Sequence, residues 1–286
     1  MTDRPVWPVV WEGPGRAGPG LLSALGVTEL LETCVLGCRR RVVLAAVGAG
    51  GKTTLLRAVG QECAVLGLSA VLTTTTRLWL ERGAALDVEE ALARRDEPGL
   101  LVAGQPCGDG KISAFPGDGI DRLRSAFDVV LVEADGARGL PFKVPAAHEP
   151  VVPPAVDLLL VVASVDALCR PLEQVCFRSE RAREILGIGS GVGADLDAGA
   201  VAMLLQQGYL DPARRWGWAG QVSVVLTHVD GGVFDEDIRA LIGLLDGHQV
   251  ICVGVDPSRQ VACCRGENGT GREDRLPIPP AWQGDR

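Results

Sequence analysis

Lysine is nearly missing from this chain. Among 286 residues it occurs only at Lys52, Lys111 and Lys143, and histidine occurs three times. Arginine supplies the remaining positive charge, so each lysine is a position to explain. Acids outnumber bases, and the formal net charge is −8. That balance argues against non-specific nucleic-acid binding, which depends on neutralising phosphates with lysine and arginine. No apolar run reaches the ~18 residues that would suggest a membrane span. Residues 1–20, MTDRPVWPVVWEGPGRAGPG, lack a basic cluster followed by an apolar core. No secretory signal is expected there, and the expected location is the cytoplasm. The nine cysteines are scattered, and no two pairs stand at zinc-ligand spacing. Cys34 and Cys38, one helical turn apart, make at most half a metal site. Most of the thiols are expected to be reduced and to act as small hydrophobes; the adjacent Cys263 and Cys264 lie near the tail.

What is present is a globular composition, 47% hydrophobic and 22% charged. Short apolar strands are expected from Val42, over Ser69–Thr76, Leu100–Ala103, Asp128–Glu133, Asp157–Ala163, Val222–Thr227 and Val250–Val255. Helical patterns fall between them, at Leu55–Leu66, Asp87–Arg95, Gly119–Ala126 and Asp235–Leu245. Leu21–Cys38 has helical spacing broken at Gly26, and Gly108–Lys111 reads as a turn. Strands apolar throughout and alternating with helices predict an α/β fold, a mostly parallel sheet covered by helices on both faces. Three parts are expected: an N-terminal arm with short helices (1–40), one domain (41–255) and a disordered tail (256–286).

The richest segment is Val42 to Thr54, a buried strand running into Gly48, Ala49, Gly50, Gly51, Lys52, Thr53 and Thr54 and then a helix. Glycines let consecutive N–H groups turn inward as a nest for phosphate oxygens, and the helix adds its positive N-terminal end. A lysine supplies a cation for the β/γ-phosphates, and Thr53 offers a hydroxyl to Mg²⁺. The pattern G-x-x-x-x-G-K-[ST] places a glycine at position 46, where this chain has Ala46, a small-residue variant. The reading is a phosphate-binding loop for a nucleoside triphosphate, and the fold class becomes P-loop NTPase-like.

Other segments supply partners for such a loop. The strand ending Glu133-Ala134-Asp135 delivers acids at its carboxyl end, as P-loop proteins hold Mg²⁺ directly or through water. Glu133 and Asp135 project alike in extended chain. One is expected to serve the metal and the other a nucleophile, with the roles undivided. Thr74, Thr75 and Thr76 close a strand where Mg²⁺, its waters or the γ-phosphate should lie, although β-propensity alone also explains threonine there. Arg138, Lys143 and His148 put cation-capable groups in the loop at 136–150, suited to phosphate or an anionic substrate. Thr227-His228-Val229-Asp230 ends a strand where many GTPases carry [NT]-K-x-D. Asp230 keeps the acceptor for a guanine edge, and His228 replaces the lysine.

The GAGGKTT loop at 48–54, the TTTT strand end at 73–76, the GDGKI turn at 108–112 and the block VEADGARGLPFKVPAAHEPVVP at 132–153 resemble the YqeC family, over roughly Leu21 to Val255. That resemblance implies a P-loop NTPase-like accessory factor for the maturation of a selenium-dependent molybdenum hydroxylase or its cofactor. A hydroxylase apoenzyme or a cofactor precursor would be its partner. Its motifs place Gly48 to Thr54, Thr74 to Thr76, Glu133, Asp135, Lys143, His148 and Glu149 in the site. Three activities stay open. The first is Mg²⁺-dependent binding and hydrolysis of ATP or GTP, with Lys52, Glu133 and Asp135 as the catalytic groups. The second is transfer of a phosphoryl or nucleotidyl group to a small anionic acceptor. The third is a non-catalytic, nucleotide-sensing scaffold.

Overall fold

The computed structural model describes residues 20–32, 40–97, 99–154, 156–189, 193–215, 220–229 and 235–254. Its centre is one sheet of seven strands: β1 (Val42–Gly48), β2 (Ala70–Thr74), β3 (Leu100–Val102), β4 (Val129–Glu133), β5 (Leu158–Ser164), β6 (Gln221–Thr227) and β7 (Gln249–Val253). Their order across the sheet is β7-β6-β5-β1-β4-β2-β3, and all neighbours run parallel. Every residue of β1, β2, β4 and β5 is buried. This is why those stretches read as continuous apolar runs rather than alternating ones.

Side chains alternate across a strand, and here both sets are buried. Val42, Leu44 and Ala46 join one core, and Val43, Ala45 and Val47 the other. The first core is covered by α1 (Leu21–Ala24), α2 (Val27–Glu32) and α3 (Lys52–Val65). The second is covered by α4 (Val88–Ala93), α5 (Gly119–Ala126), α6 (Leu172–Val175), α7 (Ser179–Leu186), α8 (Ala198–Leu205), α9 (Asp211–Arg215) and α10 (Asp235–Leu244). Gly26, at φ 78°, turns the chain between α1 and α2, at the break seen in the sequence.

From β1 the chain moves outward to β2 and β3, returns to β4 beside β1, and then crosses to place β5 on β1's other side. Ligands in open α/β sheets bind beyond the carboxyl ends of strands at such a reversal. The loops after β1, β4 and β5 meet there. The turn expected at Gly108–Lys111 joins the antiparallel strands Gln105–Pro106 and Lys111–Ser113, its last residue already opening the second of them, with Leu78–Trp79 as a third strand.

Sequence patterning assigns no element between β5 and β6. The structure places α6 to α9 there, and a five-residue π-helix at Gln206–Leu210 joins α8 to α9. These helices are short, the first beginning just after Pro171 and the second ending at Gly187, so no long amphipathic period develops. The π turn has a role: the hydroxyl of fully buried Tyr209 donates to the Lys143 carbonyl at 3.3 Å. Gly208 packs where a Cβ would stand 3.3 Å from Pro145. Both contacts brace the 136–150 loop from behind.

Candidate functional site

The turn after β1 depends on its glycines. Gly48 has φ 94°, and a Cβ there would lie 2.1 Å from the Val162 carbonyl oxygen. Gly50 has φ 78°, and its Cβ would lie 2.7 Å from the Pro141 carbonyl oxygen. Ala46 is still inside β1, in register with Glu133 of β4 and Leu160 of β5. No positive φ is needed at position 46, so alanine fits where the motif has glycine. The N–H of Gly48 donates to Asp135 Oδ2 at 3.0 Å and that of Ala49 to the Val162 carbonyl at 2.9 Å. Gly50 to Thr54 instead line a cavity, at the start of α3, where a helix leaves its first N–H groups without intrahelical partners.

Behind the loop runs a line of buried charges. Lys52, 4% exposed, places Nζ 2.5 Å from the Gly48 carbonyl and 3.0 Å from Asp135 Oδ1. Lys143 Nζ, fully buried, lies 3.1 Å from Asp135 Oδ2 and 2.8 Å from Glu149 Oε2. Arg178 grips Glu149 with both ends of its guanidinium, at 2.7 and 3.0 Å. Burial alone would raise the Glu149 pKa, but Arg178 and Lys143 outweigh it and hold the carboxyl down at about 2. As pH falls, the unfolded chain binds this proton before the folded one, so Glu149 contributes stability that is lost between about pH 5 and pH 2. Glu133 acts in the opposite sense, because burial raises its pKa against the pull of Lys52 and Thr53. Denaturant titrations at a series of pH values should therefore show a shallower acid loss in Glu149→Gln than in wild type. Parallel curves would contradict the assignment.

The cavity, about 1230 Å³, opens beyond the carboxyl ends of β1, β4 and β5. Seven of its lining residues are cationic (Lys52, Arg57, Arg77, Lys111, Arg138, Arg170 and Arg178), whereas three are acids (Glu133, Glu149 and Asp166). A wall with this excess of positive charge, in a chain of net charge −8, concentrates anions at the cavity. All three lysines belong here: Lys52 and Lys111 line the cavity and Lys143 stands behind it. On the wall beside α3, the Thr53 hydroxyl donates to Glu133 Oε2 at 2.5 Å. A hydroxyl and a carboxylate together are the donor types a hard divalent cation takes.

The structure separates residues that the sequence groups together. Glu133 faces the cavity, whereas Asp135 is 0% exposed and enclosed by Lys52, Lys143 and the Gly48 N–H. The Thr74 hydroxyl donates to the Glu133 carbonyl at 2.8 Å and that of Thr75 to the Val151 carbonyl at 2.6 Å. Of the threonine run, Thr76 alone lines the cavity. Arg138 and Glu149 line it as well; His148 is exposed and does not. Thr227 closes over the loop, its hydroxyl donating to the Gly50 carbonyl. Asp230, Cys34, Cys38, Cys263 and Cys264 lie outside the described residues.

Sequence reasoning did not single out Trp79, Asp166, Arg170, Phe177 or Arg178 as cavity residues, and it read His228 only as a replaced lysine. His228 Nδ1 lies 2.5 Å from Asp166 Oδ2 and 3.2 Å from Ser164 Oγ, beside the glycine turn after β1. Cys63 and Cys176 are buried, which pushes each thiol up to about 12, and such thiols are inert. Among the described residues no three His, Cys, Asp or Glu side chains cluster as a metal site, and no helix is long and apolar enough to cross a membrane.

Comparison with known proteins agrees with the sequence motifs over a shorter stretch than Leu21 to Val255. A relative, "Uncharacterized protein YqeC" of Escherichia coli (strain K12), is 32% identical over 139 residues. That alignment covers 44% of this chain and 54% of the relative, so the chain spans about half the relative's length. The family model described as YqeC protein matches residues 44–180. This stretch contains most of β1, all of β2 to β5, the glycine loop at 48–54, Glu133 and the whole ion-paired line from Lys52 to Arg178. The similarity to the YqeC family thus lies in residues 44–180, which carry the loop and most of the cavity wall.

Proposed function

We propose that the protein binds a magnesium-complexed nucleoside triphosphate, ATP or GTP, and hydrolyses it. We read it as a cytoplasmic accessory factor in the maturation of a selenium-dependent molybdenum hydroxylase or its cofactor. One observation carries the nucleotide reading. A glycine turn, a helix N-terminus, Lys52, Thr53 and Glu133 meet at a single cationic cavity in an otherwise acidic chain. The pathway rests on the resemblance over residues 44–180.

The chain's own groups suit this chemistry. The N–H groups of Gly50 to Thr54, at the start of α3, would receive phosphate oxygens and Lys52 would hold charge on them, with preorganised donors doing the stabilising. A phosphate competes with Asp135 for the Lys52 ammonium, and Asp135 retains Lys143 when it does. Thr53 and Glu133 fit Mg²⁺, which keeps most of its shell as water and phosphate oxygen. Bound there, the ion would neutralise phosphate charge. Through the metal's water shell, Glu133 at the cavity wall would orient a water toward the phosphate. A second reading, transfer to an anionic acceptor, is favoured by Arg138 and Arg170. Both line the cavity, and neither forms an ion pair with a carboxylate among the described residues.

Calorimetric titration of ATP, GTP and CTP with and without Mg²⁺ tests the first reading. We expect micromolar binding of ATP or GTP, weakened when Mg²⁺ is withheld. No binding of any of the three would overturn the proposal. Release of inorganic phosphate without an added acceptor separates hydrolysis from transfer and from a scaffold that binds without turnover.

A further inference from the structure

Three of the five described non-glycine residues at positive φ line the one cavity: Arg138 (52°), Arg178 (68°) and His228 (61°). Residues other than glycine, asparagine, aspartate and histidine rarely sit there, so the two arginines carry a backbone cost of the kind that gathers at functional sites. Two of the three are arginines from separate segments, and they converge on one ring. The Arg138 guanidinium carbon lies 4.8 Å and that of Arg178 4.4 Å from the centre of the Phe177 ring. Phe177 is itself fixed, since it pairs with Lys143 in a short parallel ladder and its carbonyl accepts from the Val144 N–H.

The two arginines are not equivalent. Arg178 is only 24% exposed and locked to Glu149. Arg138 is exposed, meets no carboxylate among the described residues, and rests against the Phe177 ring. One guanidinium is thus anchored and the other is presented to the cavity. Planar guanidinium forks match carboxylate and phosphate groups. A guanidinium resting on an aromatic face is also oriented before any anion arrives, so less entropy is lost on binding.

We infer that Arg138, held beside Phe177 and Arg178, is an oxyanion subsite facing the phosphate loop, where a small molecule bearing a phosphate or carboxylate group binds. The inference rests on the nucleotide reading only for what that molecule would receive. The line Lys52–Asp135–Lys143–Glu149–Arg178 ties the two ends of the cavity together through successive ion pairs.

The test uses the full chain with the phosphate loop weakened. Inorganic phosphate, and separately citrate, is titrated calorimetrically into Lys52→Ala and into Lys52→Ala/Arg138→Ala. The expected result is saturable binding of at least one anion to the first protein, weakened tenfold or more in the second. Because Arg138 is exposed, matched thermal midpoints of the two proteins should show that folding is not the cause. Absence of binding to the first protein, or equal binding to both, overturns the subsite. Nucleotide titration of the wild type is scored independently. Arg138-dependent anion binding without nucleotide binding would leave the subsite standing while the nucleotide reading falls.

Discussion

Replacing Asp135 with alanine is expected to lower the unfolding free energy by about 3–5 kcal/mol, the range for breaking a buried pair by removing one partner. Asp135 is 0% exposed and serves three donors at once: Lys52 at 3.0 Å, Lys143 at 3.1 Å and the Gly48 N–H at 3.0 Å. Without it, two buried ammonium groups are left against each other. Lys143 keeps Glu149, and Lys52 keeps only the Gly48 carbonyl. Asp135→Asn should fall between the variant and wild type, because the amide oxygen can still accept from Gly48 while the charge is gone. Urea unfolding of the three proteins measures this directly. A loss below about 1 kcal/mol in Asp135→Ala would show that Asp135 does not hold the line of charges together.

That arrangement explains why the sequence yields some parts of the site and conceals others. Strands and their burial were legible because a parallel sheet covered on both faces needs unbroken apolar runs, as in Val42–Val47 and Leu158–Ala163. The turn at Gly48 to Gly51 was legible because the close approaches at Gly48 and Gly50 leave no room for a side chain. Scarcity marked the lysines, and all three proved to serve the cavity or the charges behind it. The division between Glu133 and Asp135 was not legible. Two residues apart in extended chain they are equivalent, and only partners distant in sequence, Lys52, the Gly48 N–H and Lys143 of the following loop, enclose Asp135 in the interior. Arg178 and Phe177 were hidden for a related reason. They reach the cavity through a two-residue strand pair, Cys176–Phe177 with Phe142–Lys143, too short to leave a periodic trace. The hydroxyls of Thr74 and Thr75 turn to backbone carbonyls, a choice that β-propensity does not encode.

Lys52→Ala is expected to weaken binding of the preferred nucleotide about 10–100-fold, from the ~1.5–3 kcal/mol carried by a hydrogen bond to a charged group. The same variant should cost the fold far less than Asp135→Ala. Once Lys52 is gone, Asp135 still holds Lys143 and the Gly48 N–H, so no buried charge is stranded. On the proposed reading Lys52 would have two competing partners, Asp135 at 3.0 Å and the phosphate of a bound nucleotide. Asp135 can release it because a second lysine stands on the other carboxylate oxygen. This sharing distinguishes a ligand-directed lysine from a structural one, and the two readouts separate them. Calorimetry should show the affinity falling while the urea midpoint moves little. An unchanged affinity would mean that Lys52 stays on Asp135 and that backbone N–H groups alone meet the phosphate. A collapse of the midpoint would instead make Lys52 a structural cation, and the loop would lose its claim to β/γ-phosphate recognition.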